Sequence, residues 1–164
     1  VVNGDNSTCT DCAGVVNGIA ILIDFCGNCS DQDLEYVELW GECYNIETTT
    51  SLFLFEDQLT GEIPSEIGNL TNLTYLDLYS NQLTGEIPSE IGNLTNLVTL
   101  RLSYNQLTGE IPFEIGNLIN LDFLYLRENN LTGSIPTEVC LLIENNNMPM
   151  NWILEGNNLI NTCE

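Results

Sequence analysis

Two cysteine pairs sit near the start of the chain, Cys9-x-x-Cys12 and Cys26-x-x-Cys29, with thirteen residues between them. Thiolates at that spacing could hold a structural zinc ion. The competing reading, and the one expected here, is a disulfide knot in an oxidising compartment. Seven cysteines are present, so at least one lacks an internal partner. Cys9 is the candidate for the unpaired or intermolecular thiol, and Cys12, Cys26, Cys29 and Cys43 are candidates for disulfides. Cys140 and Cys163 read as a pair closing the C-terminal end, the alternative being two unrelated thiols. Carboxylates are the other abundant chemistry. Glu62, Glu86 and Glu110 recur at a spacing of 24 residues, as do Glu66, Glu90, Glu114 and Glu138. Like charges stacked in columns repel; Ca²⁺ could bridge them, and hydrated, exposed glutamates are the bland alternative. The chain has no His, which removes imidazole bases and His-ligated metals. No phosphate-cradling glycine loop and no nucleophile with a base is found, so no catalytic residue is assigned and the chain is expected not to be an enzyme.

The charge balance is lopsided: 24 acids against two bases, Arg101 and Arg127, for a net charge of −22. A chain this acidic is a poor partner for nucleic acid or an anionic membrane. Hydrophobic residues make up 43% of it, enough for a packed core rather than a solvated acidic coil. The 164 residues suit one domain, and no apolar run approaches a membrane-spanning length. Val1-Val2-Asn3-Gly4 recurs as Val15-Val16-Asn17-Gly18, which leads us to expect a chain that begins inside a repeated unit, as a mature product or a fragment.

Position along the chain is set by a repeat. LTGEIPSEIGNLTNL occurs at Leu59–Leu73 and again at Leu83–Leu97, LTGEIPFEIGNLINL at Leu107–Leu121, and LTGSIPTEV from Leu131. A fixed period of 24 residues means stacked supersecondary units. The L-x-L segments at Leu52, Leu76, Leu100 and Leu124 read as short strands with leucines facing inward. Trp152, Leu154, Asn157 and Leu159 restart the pattern after a four-residue insertion. Asn81, Asn105, Asn129 and Asn157 fall where each coil turns, and their amides can satisfy buried backbone groups; Asp57 occupies the first rung and cannot donate. The chain divides into a Cys-rich N-terminal extension (1–33), an N-terminal cap (34–51), four repeats (52–151), and a shortened final repeat with C-terminal cap (152–164).

These motifs resemble the plant-type leucine-rich repeat over roughly residues 49–160. The resemblance implies an α/β solenoid: a right-handed coil with a parallel β-sheet on its concave face, a second strand in the LTGxIP segment, and disulfide-capped ends. Trp40-Gly41-Glu42-Cys43 looks like that family's N-terminal cap, although the usual cysteine before the Trp is absent. Residues 11–29 are similar to the DCxGxxNGxAxxDxCGxC units of secreted marine bacterial proteins. The sequons at Asn6, Asn28, Asn69, Asn72, Asn93 and Asn130 would be glycosylation sites in a eukaryotic secretory host.

Between the inward leucines lie the residues expected to meet a partner: Phe53, Phe55, Tyr75, Asp77, Tyr79, Arg101, Tyr104, Phe123, Tyr125 and Arg127, beside Asp122 and Glu128. Seven of the eleven Phe and Tyr residues share this face. Aromatic residues and Arg are the types enriched where proteins touch; cross-strand packing is the alternative. The expectation is a non-enzymatic extracellular or cell-surface protein that binds other copies of itself, a filament being one form such association could take. The alternative is a recognition module for a peptide, glycan or protein on the aromatic face.

Overall fold

Each 24-residue unit spends its leucines on one side and its turn residues on the corners. In the computed structural model, which describes residues 36–163, the units stack as coils. The extension with Cys9, Cys12, Cys26 and Cys29, and the sequons Asn6 and Asn28, lie outside the described residues. The first elements form a hairpin, β1 (Tyr36–Leu39) antiparallel to β2 (Glu42–Asn45). Trp40 and Gly41 join them with φ of 49° and 83°, the doubly positive turn that matches the twist of paired strands. Val37 and Leu39 are buried and cover the first coil. Cys43, on β2, is held in a disulfide.

The concave sheet is parallel and runs β3 (Ser51–Phe53), β5 (Tyr75–Asp77), β7 (Thr99–Arg101), β8 (Phe123–Tyr125). Its register steps by one repeat, so Leu52, Leu76, Leu100 and Leu124 face one another in the core. The LTG segments supply a second, broken sheet: β4 (Thr60–Glu62) beside β6 (Gln82–Thr84), a bridge between Glu86 and Thr108, and β9 (Thr132–Ser134) beside β10 (Asn158–Ile160). On the return path, prolines 64, 88 and 112 each precede a short 3₁₀ turn, Ser65–Asn69, Ser89–Asn93 and Phe113–Asn117. Proline has no N–H to lose there and its φ is preset for a helix start.

The asparagine column is a ladder. The Asn105 amide donates to the carbonyls of Leu78 (2.8 Å) and Leu102 (3.1 Å), and its oxygen accepts from the Leu83 N–H (3.1 Å). Asn81, Asn129 and Asn157 repeat the pattern. Each side chain therefore closes its own coil and ties it to the coil before. A second column, in which the Asn72, Asn96 and Asn120 amides donate to backbone carbonyls one coil earlier, lies on the exposed side.

Glycine is required where coils touch. A Cβ on Gly92 would stand 2.5 Å from the Glu114 Cβ, and Gly68 and Gly116 meet Glu90 and Glu138 in the same way. The fourth unit replaces this glycine with Cys140, on the helix α1 (Thr137–Asn145). No further 3₁₀ turn stacks on α1 among the described residues, so a side chain fits there. Cys140 is bonded to Cys163, with 5.2 Å between their Cα atoms.

Trp152–Leu154 is not a strand but part of a short helix, α2 (Asn151–Leu154), and it is Ile153 that is fully buried. Pro149 sets the first turn, its carbonyl accepting the Trp152 N–H. The Trp152 carbonyl still accepts the N–H groups of Leu126 and Arg127, so the edge of the sheet is satisfied without a fifth strand.

Two predictions arise from this architecture. Asn105→Ala should lower unfolding stability by about 1–3 kcal/mol, because it strands the buried Leu83 N–H, while the Leu78 and Leu102 carbonyls keep the Asn81 and Asn129 amides as donors. Asn96→Ala, which removes only an exposed bond, should cost well under half of that in the same urea titrations. Replacing Cys140 and Cys163 together by Ser should cost about 3 kcal/mol, the loop entropy for a separation of 23 residues. A reduced wild-type chain unfolding at the same urea concentration as the oxidised one would refute it.

Candidate functional site

The concave face is a grid, because the strands are in register and only their outward positions vary. One row runs Ser51, Tyr75, Thr99, Phe123 and the next Phe53, Asp77, Arg101, Tyr125. Two residues further along come Phe55, Tyr79, Ser103 and Arg127, one repeat apart. The side chains of three central coils gather around a depression of about 350 Å³ lined by Tyr75, Tyr79, Thr99, Arg101, Ser103, Phe123, Tyr125 and Arg127. Six of the ten expected partner-binding residues are therefore brought together.

Arg101 is the centre of the arrangement. Its Nη1 donates to the Asp77 Oδ2 at 2.7 Å. Its guanidinium lies 5.1 Å from the Tyr79 ring centroid and 5.7 Å from that of Tyr125. Burial pulls its pKa down, but the hydrogen bond with Tyr75 and the Asp77 charge outweigh this and hold it above the usual arginine value. Asp77 was expected on the exposed surface and is not: it is 2% exposed. Its second oxygen accepts the Tyr79 N–H at 3.0 Å, so the carboxylate is fully used in holding Arg101 and the strand end. Arg127 lies 5.6 Å from the Tyr104 ring and 3.5 Å from the Glu155 carboxylate.

The remaining aromatic residues frame the depression. Phe53 stacks on Tyr75 at 4.9 Å and is 60% exposed at the N-terminal edge, with Phe55 beside it in the sequence and also exposed. Tyr104 stands edge-on to Tyr79 at 5.3 Å. Its φ of 59°, like the 56° of Ser80 and Glu128, marks the corner before each ladder asparagine. Trp152, read from the sequence as an inward residue, instead lies 4.5 Å from Tyr125 and 6.2 Å from Phe123 on the far side. Sequence reasoning also missed Thr99 and Ser103. The available signal was the repeat phase, which they share with Tyr75 and Tyr79. Ser103 is 2% exposed, and its hydroxyl, covered by the surrounding protein, has no hydrogen-bond partner among the described residues.

The other candidate sites are dispersed. Each glutamate of the first column lies along the next coil's glycine: a Cβ on Gly85 would meet the Glu62 Cγ at 2.7 Å. Among the described residues, no group of three or more Cys, Asp or Glu side chains is placed to hold a metal ion, so the Glu columns do not converge on a Ca²⁺ site. Asn69, Asn93 and Asn130 are exposed, while the exposed Asn72 amide is engaged with the Glu47 carbonyl. No described helix is long and apolar enough to cross a membrane.

With this geometry in view, the chain can be set beside known proteins. Residues 95–138 match the model for leucine-rich repeats in two copies, and residues 72–94 match the model for a single leucine-rich repeat. Among solved structures, the plant peptide hormone receptor RGFR1 in complex with RGF2 is 53% identical, with a TM-score of 0.56, over 57% of this chain and 15% of that one. The Arabidopsis thaliana BIR3–SERK2 complex is 38% identical (TM-score 0.54), over 68% of this chain and 56% of that one. A plant ice-binding protein is 37% identical (TM-score 0.52), over 62% and 31%. The chain thus spans from about a seventh to just over half of the proteins it is compared with. A comparison with curated protein sequences found no match. The fold is a leucine-rich-repeat solenoid.

The Arg101–Asp77 pair yields a test. Arg101→Met should destabilise the chain by about 1–3 kcal/mol, since it leaves a buried carboxylate unpaired while removing a guanidinium that was itself partly in water. Adding Asp77→Asn should restore most of that loss. A double-mutant cycle showing no coupling would mean the pair does not organise the face.

Proposed function

We propose that this chain is a non-enzymatic recognition module, working outside the cell or at its surface, whose concave face holds a peptide or protein partner. The observation that carries this reading is the gathering of both arginines with four aromatic rings around one depression. The aromatic rings cost little conformational entropy to order, and aromatic residues and Arg are the types in which interface energy concentrates. Here they are also preorganised by ring stacking and by the Asp77 bond. Support comes from the solved structures with the same fold, which include a peptide hormone receptor with its peptide and a two-protein complex. The Cys140–Cys163 disulfide suits an oxidising location. The net charge of −22 would speed encounter with basic partners and repel acidic ones.

A second reading is association of the chain with itself, favoured by the exposed Phe53 and Phe55 at the N-terminal edge of the sheet. Uncovered rings of this size are an attractive surface for another copy, but repulsion between two copies at −22 must be screened. Association would therefore strengthen with salt.

Selection from a displayed random-peptide library would test the first reading. Binders should lose about tenfold or more in affinity on the Tyr79→Ala/Tyr125→Ala variant. Hydrogen exchange should show their footprint on the strands β5, β7 and β8. Binders that are indifferent to the variant, with protection confined to the 3₁₀ side, would overturn it. Sedimentation of the wild-type chain at high salt decides the second reading: a monomer at all concentrations excludes self-association.

A further inference from the structure

The two ends of the solenoid are finished differently. At the C-terminal end the Trp152 carbonyl takes up the N–H groups of Leu126 and Arg127, and the Cys140–Cys163 bond closes the last coil. At the N-terminal end the hairpin packs on the 3₁₀ side, β1 against the Ser65–Asn69 turn. The sheet side of the first coil is less covered. Leu54 and Leu59 are only partly buried, whereas Leu78 and Leu83, their equivalents one coil later, are fully buried. Among the described residues β3 is the end strand of its sheet and pairs only with β5. The N–H groups of Leu54 and Glu56 point to that neighbour, donating to the Asp77 and Tyr79 carbonyls. Those of Phe53 and Phe55 face the other edge, where a row of backbone donors and acceptors is a template for a further strand. Asp57 fits the same need. In later coils the ladder oxygen accepts an N–H from the coil before, as Asn81 accepts from Leu59. Asp57 keeps the acceptor of that rung and drops the donor.

The chain carries one segment whose chemistry matches this edge. A strand added beside β3 has one face against Leu52 and Leu54 and the other beside Phe53 and Phe55, so it must be apolar on both. Cys12–Ile23 is the longest uncharged stretch of the N-terminal extension, and its residues 19–23, Ile-Ala-Ile-Leu-Ile, are apolar at every position. Three of them are β-branched and favour a strand. Covalent chemistry brings the segment within reach. Cys43 on β2 is in a disulfide, and the other two described cysteines, Cys140 and Cys163, are bonded to each other. Within one chain that leaves Cys9, Cys12, Cys26 or Cys29 as its partner. Burial, and after it the charges of Glu42 and Asp57, raise the Tyr44 phenol above its usual pKa, so the residue after Cys43 lies within electrostatic reach of the first rung. From Ile23 to Tyr36 an extended chain spans about 40 Å, many times the ~4.8 Å between paired strands.

We infer that residues 19–23 of this chain's own N-terminal extension add as a strand to the open edge of β3, held there by a disulfide from Cys43 to a cysteine of the extension. The inference does not rest on the peptide-partner reading. It covers the edge on which the self-association reading depends.

Hydrogen exchange on the oxidised full chain, read at single amides by NMR, tests it. The Phe53 and Phe55 N–H groups should exchange about a hundredfold or more slower than unprotected amides. Ile21→Asp/Leu22→Asp, which puts a charge on each face of the added strand, should return both to unprotected rates while the Leu76 and Leu100 amides stay protected. Should the charged variant unfold, the milder Ile21→Gly/Leu22→Gly should still speed Phe53 and Phe55 about tenfold. Peptide mapping without reduction should join Cys43 to Cys9, Cys12, Cys26 or Cys29 in a chain of monomer mass. Unprotected Phe53 and Phe55 amides in the parent, protection unchanged in the variants, or Cys43 bonded to a second chain would each overturn the inference. Protection that grows with protein concentration would overturn it too, and would assign the edge to another copy.

Discussion

A backbone that turns a corner inside a protein must find partners for the polar groups it buries there. In this solenoid they come from the neighbouring coil. Asn105 satisfies a carbonyl of its own coil, a carbonyl of the coil before it and an N–H of that same earlier coil. The amide is the right group because it both donates twice and accepts. Remove it and two coils lose their hydrogen bonds together, so the period of 24 residues is enforced by side-chain chemistry as well as by leucine packing. The insertion before Asn157 shows the strength of this constraint. Four extra residues are absorbed by α1 and α2, and the asparagine still reaches the Leu126 and Ile153 carbonyls.

The same close stacking explains two other columns. Gly68, Gly92 and Gly116 leave room for the glutamate of the following coil, and Gly85, Gly109 and Gly133 for that of the preceding one. The glutamates lay their methylene stems on the neighbouring coil, and water and salt screen the carboxylates. An acidic surface is thus compatible with a tightly stacked core. Where stacking ends, the requirement for glycine lapses, and Cys140 takes the place to join Cys163.

On the concave side the regular backbone acts as a ruled surface on which only the outward residues carry information. Asp77 and Arg101 fall on adjacent strands at the same row, and their pairing fixes a guanidinium between two tyrosine rings. A long, flexible cation is thereby held in one place. The grid is most irregular in the coils with Arg101 and Arg127, and that is where the depression lies.

Most of the fold was legible from the order of residues because each structural demand recurs every 24 positions. Leucine alternation, the turn asparagine, the glycine and the proline each name a local physical need, and repetition distinguishes need from accident. The parallel register, the outward rows and the terminal cysteine pair could be read in this way. Three features could not. Trp152 lay in phase with the strand leucines, yet Pro149 and the insertion turned its segment into a helix and its ring toward Tyr125. Asp77 lay at an outward position, yet Arg101 and the Tyr79 N–H enclosed it. Ser103 is a common residue in an unremarked place, and only the neighbouring coils bury its hydroxyl without a partner. The sequence by itself determined the period, the core and the outward residues, since these depend on contacts repeated from coil to coil. The tertiary structure decided which outward groups are covered, paired or left wanting, because that depends on the size and charge of neighbours 24 residues away, which differ at every coil.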